Sequence, residues 1–179
     1  YFMPRKKIRE KTEELLEFCG LIDFRRRTVR KLSGGMKRKL MVCRALLTEP
    51  EILLLDEPTA GMDALSRRQM WNLLRQLNDH NLTILLTTHY MEEAESLCQR
   101  VAFMDRGRLE EVSEPKKMVE QLGHFAVDEM TSDGLKSHYF KNREDAIAHL
   151  SRLTGQTALR NTTLEDVFVA RAERKERQR

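Results

Sequence analysis

Apolar positions in this chain fall in short clusters between charged stretches, and the spacing within each cluster predicts an element. Residues 5–19 set Ile8, Leu15, Leu16 and Phe18 among charges, which predicts a helix stopped by Gly20. A basic connector follows, Phe24-Arg25-Arg26-Arg27-Thr28-Val29-Arg30-Lys31. Leu32-Ser33-Gly34-Gly35 then leads into a helix ending near Thr48, with Leu40, Cys43 and Leu47 on one face. Ile52-Leu53-Leu54-Leu55 is too short for a helix, and Asp56-Glu57-Pro58 ends it. A strand buried on both faces is the expectation. Residues 64–80 carry Met70, Leu73, Leu74 and Leu77 at helical spacing, and 82–87 form a second apolar run. Strand, helix and strand in that order predict a βαβ unit, with parallel strands joined by a right-handed crossover.

Further along, residues 91–98 read as a short acidic helix and 101–104 as a strand. Asp105-Arg106-Gly107-Arg108 turns the chain, and 109–112 returns antiparallel. Ser113 is placed to cap a helix over 114–122, with Pro115 tolerated in its first turn. After Gly123 the long apolar runs disappear, so 124–141 is expected to be irregular or weakly stranded. Helices are expected at 144–153 and from Leu164 onward, where Thr163 and Asp166 have the spacing of a capping box. Residues 171–179 are expected to be a frayed charged end. No internal repeat or low-complexity segment is present.

Composition adds limits to this outline. The chain has 179 residues, 40% hydrophobic and 34% charged, enough for a real core with an unusually charged surface. Its longest aliphatic run, Ile52 through Leu55, is far short of the roughly 20 residues a membrane-spanning helix needs. No cleavable signal pattern is visible. Cys19, Cys43 and Cys98 stand far apart in sequence, without a C-x-x-C or a histidine at ligand spacing. They therefore predict neither a disulfide framework nor a zinc site, and a reducing cytosol is the default. Tyr1-Phe2-Met3-Pro4 resembles neither an initiator sequence nor a signal peptide, which suggests that a preceding segment is absent.

The net charge of +4 is unevenly spread. Residues 1–48 carry 14 basic against 5 acidic side chains, a surplus of nine, while the remainder carries 18 against 23. A basic front third suits nucleic acid in principle. No zinc-finger spacing, aromatic-laced RNA motif or DNA-reading helix accompanies it, so no nucleic-acid partner is expected. The plainer reading is a solvated helical face, and the alternative is a contact with phosphate or an acidic partner.

Three places carry candidate chemistry. Asp56 ends a buried parallel strand, the position where open α/β sheets bind ligands and where nucleotide hydrolases hold Mg²⁺ near phosphate. Glu57 beside it points elsewhere, so one carboxylate can serve a metal shell while the other faces a water as general base. The ordinary alternative is an acidic turn closed by Pro58. His89 follows the second apolar run and should share the crevice with Asp56, although a histidine there is often only a turn residue. Ser33-Gly34-Gly35 before a helix offers backbone N–H groups, a hydroxyl and a helix N-terminus to an anion, or else a flexible cap. The phosphate loop G-x-x-x-x-G-K-[ST] occurs nowhere in the chain.

Together, Leu32-Ser33-Gly34-Gly35-Met36-Lys37-Arg38-Lys39-Leu40, Ile52-Leu53-Leu54-Leu55-Asp56-Glu57-Pro58-Thr59-Ala60-Gly61-Met62-Asp63 and Leu86-Thr87-Thr88-His89 resemble the ATP-binding cassette (ABC) ATPases. The resemblance implies an α/β fold with a P-loop NTPase-type, mostly parallel sheet, here partial. Residues 1–48 would be part of the helical subdomain, 49–112 the second half of the catalytic core, and 113–179 a small α/β C-terminal extension. It implies that Ser33, Gly34 and Gly35 form the signature loop, contacting the γ-phosphate of ATP held by the opposite subunit. Asp56 is implied as the Walker B aspartate acting on Mg²⁺ through water, and Glu57 as the catalytic base. Residues 60–63, ending in Asp63, resemble the D-loop, and His89 the switch histidine on the γ-phosphate. Met36 stands where the commonest family pattern has Gln, a form also found in bacterial exporter ATPases. Thr163-Leu164-Glu165-Asp166-Val167-Phe168 resembles the tail of drug and antibiotic exporter cassettes.

The implied cofactors are ATP and Mg²⁺. The implied partners are a second cassette, as a homodimer, and a transmembrane permease, with the protein peripheral on the cytoplasmic face of a bacterial membrane. The implied function is ATP hydrolysis coupled to transport, with export the expected direction, and the 179-residue chain by itself is expected to be inactive. Two alternatives stay open: a soluble ABC ATPase of translation or DNA repair, and a non-hydrolytic interaction fragment.

Overall fold

A computed structural model describes residues 4–177. The chain divides into two compact units, one ending at His89 and one beginning at Tyr90.

The first unit begins with helix α1 (Arg5–Phe18), which runs through two short 3-10 turns to α2 (Gly34–Leu46). Strand β1 (Ile52–Asp56), helix α3 (Ala64–Asp79) and strand β2 (Thr83–Thr87) follow. The strands pair in parallel from Ile52 opposite Thr83 to Asp56 opposite Thr87, as the βαβ reading expects. Helix α3 buries Met70, Trp71, Leu73, Leu74 and Leu77, a stripe at helical spacing. Burial of each such side chain stabilises by roughly 1.5–3 kcal/mol. The strand expected to be covered on both faces is covered on one. Leu53 is 4% exposed, while Leu54 is 70% and Leu85 64% exposed. Side chains alternate across a strand, so a two-stranded sheet packed on one side leaves its other row open.

The cysteine expectation also changes. Cys19 and Cys43, 24 residues apart, meet in the buried seam of α1 and α2 with Cα atoms 6.7 Å apart, a separation a disulfide spans. Sequence distance concealed this, because the returning helix pair sets the spatial distance.

The second unit contains α4 (Met91–Leu97), the antiparallel hairpin β3 (Val101–Asp105) and β4 (Arg108–Ser113), and α5 (Pro115–Leu122). Ala94, Phe103, Met118, Leu164 and Val167 form its core cluster. Ser113 belongs to β4 and does not cap α5. Glu114 holds the cap position, without a side-chain cap bond, and Pro115 starts the helix.

Residues 124–141, expected to be irregular or weakly stranded, form strands β5 (Phe125–Thr131) and β6 (Gly134–Phe140). Helix α6 (Arg143–Leu150) forms where 144–153 was expected to be helical, and strand β7 (Thr157–Asn161), which the sequence pattern does not mark, completes an antiparallel sheet ordered β6-β5-β7. Ala126 and Val127 are fully buried at its centre, so small side chains seal this sheet where long apolar runs were sought.

The last helix, α7 (Leu164–Arg177), extends through most of the stretch expected to fray. Arg171 pairs with Glu111, and Lys175 bridges Glu110 and Asp105, so the charges that suggested solvation tie α7 to the β3–β4 hairpin. Residues 178–179 lie outside the described residues, as do 1–3. No helix among the described residues is long and apolar enough to cross a membrane.

Candidate functional site

The parallel register of β1 and β2 sets the site. Asp56 lies opposite Thr87 at the C-terminal ends of both strands, and the Thr87 hydroxyl donates a short hydrogen bond to Asp56 Oδ1. The chain then leaves β1 through Glu57, whose φ of +47° is the left-handed region that a non-glycine residue adopts only when held. Three bonds hold it. Glu57 N–H donates to the Thr87 carbonyl at 3.0 Å and toward the Thr87 hydroxyl at 3.3 Å, and Ala60 N–H donates to the Glu57 carbonyl at 3.2 Å.

This backbone turn sends the two adjacent carboxylates apart. Asp56 remains exposed beside Thr87, while Glu57 Oε2 meets His89 Nδ1 at 2.8 Å. Asp56, Glu57 and His89 are thus gathered as their sequence positions suggest. Thr87, to which the motif assigns no role, ties the two strand ends together. A hydroxyl opposite a strand-ending aspartate was the available signal.

Asp63 caps α3. Its Oδ1 accepts from Ser66 N–H at 2.9 Å and its Oδ2 from the Ser66 hydroxyl at 2.7 Å. The Ser66 hydroxyl, foremost, and the Ser66 backbone N–H hold this carboxyl below the usual aspartate range. Ser33 caps α2 in the same manner, accepting from Met36 N–H at 3.2 Å.

The two capped ends lie against each other. A Cβ added at Gly35 would come within 3.1 Å of Ser66 Cβ and Oγ, and Lys39 Nζ donates to Gln69 Oε1 at 3.0 Å. The glycine therefore permits close approach of α2 to α3. Ser33, Gly34, Gly35 and Asp63 form a second group built on helix starts, separate in its contacts from the strand-end group of Asp56, Glu57, Thr87 and His89. An open cleft of about 350 Å³ runs from Asp56 and Pro58 along residues 53–55 to Arg38, Met41 and Arg44 of α2.

As a cation site, the strand-end group offers hard oxygen donors from Asp56 and Thr87. That fits Mg²⁺, which is usually held by one or two carboxylates together with water and substrate phosphates. No cluster of three or more metal-ligating side chains occurs among the described residues, and a Mg²⁺ of this kind requires none. The residues present fit the cation and water side of a nucleotide site. The glycine-rich loop and lysine that would cradle the phosphates are not in the sequence.

Comparison with known proteins agrees in kind with this geometry. A family profile described as ABC transporter matches residues 3–60. The Nod factor export ATP-binding protein I of Cupriavidus metallidurans is 38% identical over 165 residues, covering 92% of this chain and 52% of that protein. The linearmycin resistance ATP-binding protein LnrL of Bacillus subtilis is 31% identical over 154 residues, covering 86% and 49%. The chain thus spans about half the length of these curated relatives. Among solved structures, the ADP conformation of MJ1267, an ATP-binding cassette of an ABC transporter, superposes with a TM-score of 0.62. It is 23% identical, covering 68% of this chain and 48% of that one, a likeness of fold.

Proposed function

Since this chain carries an ABC ATPase sequence and fold of the drug- and antibiotic-exporter type, we propose that it belongs to the ATP-hydrolysing subunit of an ABC exporter. The observation that carries the reading is the convergence of Asp56, Glu57, Thr87 and His89 at the ends of two parallel strands. We assign residues 1–48 to the helical subdomain, 49–112 to the second half of the catalytic core and 113–179 to a C-terminal extension.

Roles follow from the chemistry of each group. Asp56, fixed by the Thr87 hydroxyl, holds Mg²⁺ through water, and the cation's contribution when bound is to neutralise phosphate charge. Glu57 orients and deprotonates the attacking water. His89 Nδ1 lies 2.8 Å from Glu57 Oε2, so the two side chains are placed to act together. His89 engages the γ-phosphate, and its contact with Glu57 links that engagement to the carboxylate that faces the water. Ser33, Gly34 and Gly35 contact the γ-phosphate held by a second cassette, and Asp63, with the segment before it, carries the contact between the two. Positioning and charge stabilisation supply most of the catalysis in such a closed pair. Closure drives a membrane permease, and the relatives named for export and resistance support outward transport.

The test compares two purified proteins. The 179-residue chain should show no ATP turnover, because it lacks the phosphate loop. A longer form in which G-x-x-x-x-G-K-[ST] precedes Tyr1 should hydrolyse ATP in a Mg²⁺-dependent manner. Robust turnover by the 179-residue chain, or an upstream sequence without that loop, contradicts the proposal. The basic surplus of residues 1–48 favours one other reading, a soluble ABC ATPase acting on ribosomes or DNA. Co-purification with those partners in place of a permease would select it.

A further inference from the structure

The basic connector before the signature segment takes no part in the chemistry above, yet it is built as a defined loop. Two 3-10 turns, Ile22–Phe24 and Val29–Lys31, fold it. Phe24 N–H donates to the Leu21 carbonyl at 3.0 Å, Arg27 N–H to Phe24 at 2.8 Å and Lys31 N–H to Thr28 at 2.9 Å. Both ends are anchored, since Leu21 is 3% and Leu32 8% exposed. Between the anchors every residue from 25 to 31 is exposed, and five are cationic with Asp23 the one nearby acid in the loop.

Some cations elsewhere in the chain find carboxylates: Lys11 pairs with Glu14 and Glu49, and Lys175 with Asp105. Here, among the described residues, no ion pair joins Arg25, Arg26, Arg27, Arg30 or Lys31 to a carboxylate. The loop instead stiffens its own cations. Arg25 Nη1 donates to the Ile22 carbonyl at 3.3 Å, and the Arg27 guanidinium lies 4.9 Å from the centre of the Phe24 ring. Val29, 55% exposed, lies between Arg27 and Arg30 in sequence and edges a cleft lined by Leu15, Leu16 and Leu40.

Like charges held together repel, and this loop leaves that repulsion uncompensated within the molecule, so an external anionic surface gains the full attraction. We propose that residues 25–31 contact the anionic phospholipid headgroups of a membrane surface. A bilayer suits the group better than nucleic acid does. The one aromatic ring of the loop is covered by Arg27, leaving no stacking platform for bases. Val29, half exposed and next to cations in sequence, adds an aliphatic contact that suits a headgroup boundary. Clusters of about 4–8 basic residues beside a membrane read as anionic-lipid contacts. The proposal does not depend on the ATPase reading, because vesicle binding is measured without nucleotide.

The full 179-residue chain would be sedimented with phosphatidylcholine vesicles and with vesicles containing phosphatidylglycerol, over a range of salt. Binding is expected only to the phosphatidylglycerol vesicles and should weaken as salt rises. Replacing Arg25, Arg26, Arg27 and Arg30 together by Gln should weaken it by about a hundredfold or more, given roughly fivefold per charge. Replacing Arg5, Lys6, Lys7 and Arg9 by Gln removes the same charge from α1 and should change it by less than about threefold, the loop being intact. Three results would overturn the proposal: equal binding to phosphatidylcholine, equal losses in the two variants, or displacement from vesicles by a duplex RNA of matched charge.

Discussion

Glu57 and Gly123 each occupy backbone conformations with positive φ, for different reasons. Glu57, at +47°, sits where the chain turns out of β1, and its hydrogen bonds with Thr87 and Ala60 offset the strain. The conformation separates its carboxylate from that of Asp56 and brings it to His89. Gly123, at +138°, is fixed by packing. A Cβ there would lie 2.7 Å from the Phe140 carbonyl oxygen and 2.9 Å from its carbon. Backbone atoms cannot swing aside as a flexible side chain can. Gly123→Ala is therefore expected to destabilise the chain by about 2 kcal/mol or more, read as a lower urea midpoint. An unchanged midpoint would mean that the β5–β6 pairing yields more easily than its close contact implies.

Among the elements, β5, β7 and α7 are joined by one charged group. Arg160 on β7 reaches Asp128 on β5 at 2.6 Å and Asp166 on α7 at 2.7 Å. The Asp166 carboxylate also accepts from Thr163 N–H at 2.8 Å, satisfying the start of α7. Burial, the largest single influence, disfavours its charge. The hydrogen bonds from Arg160 and Thr163 together outweigh burial and hold the carboxyl below the usual aspartate range.

A carboxyl with a depressed folded pKa contributes stability that is present above its unfolded value, near about 4, and lost as pH falls through the lower folded value. The melting temperature should therefore fall as pH is lowered from about 5 toward 2. In Asp166→Asn that fall should be smaller, while stability at neutral pH drops by about 1–3 kcal/mol. The same acid dependence in the variant would show that other carboxylates dominate.

What the sequence revealed at this scale followed apolar periodicity. It was sufficient for α3, β1 and β2, whose cores are Met, Trp and Leu. It gave 124–141 as irregular or weakly stranded and did not mark β7, because Ala126 and Val127 seal that sheet and polar residues interrupt its apolar positions. The end of α7 was misjudged because its Arg171 and Lys175 bind acids some sixty to seventy positions earlier, which no local pattern displays. At the site, strand ends and motif order indicated Asp56, Glu57 and His89. The left-handed turn and the Thr87 bridge became visible only once β1 and β2 were in register.

For the whole molecule, the open row of the β1–β2 sheet governs behaviour in solution. Ile52, Leu54 and Leu85 are 59%, 70% and 64% exposed on adjacent strands, a contiguous apolar surface with unpaired edges beside it. The 179-residue chain is expected to self-associate as concentration rises. Leu54→Glu with Leu85→Glu should shift its sedimentation toward monomer while leaving far-UV circular dichroism unchanged. Persistent association of that double variant would direct attention to another surface.

The central claim is that the carboxylate delivered to His89 by the turn after β1 activates water against ATP. Single-turnover hydrolysis in a longer form of the protein that carries the phosphate loop tests it most directly, with Glu57→Gln compared against wild type and ATP binding measured in parallel. The prediction is binding within about threefold of wild type and hydrolysis reduced at least about a hundredfold, the lower end of what a positioned general base supplies. Wild-type hydrolysis by Glu57→Gln would contradict the account.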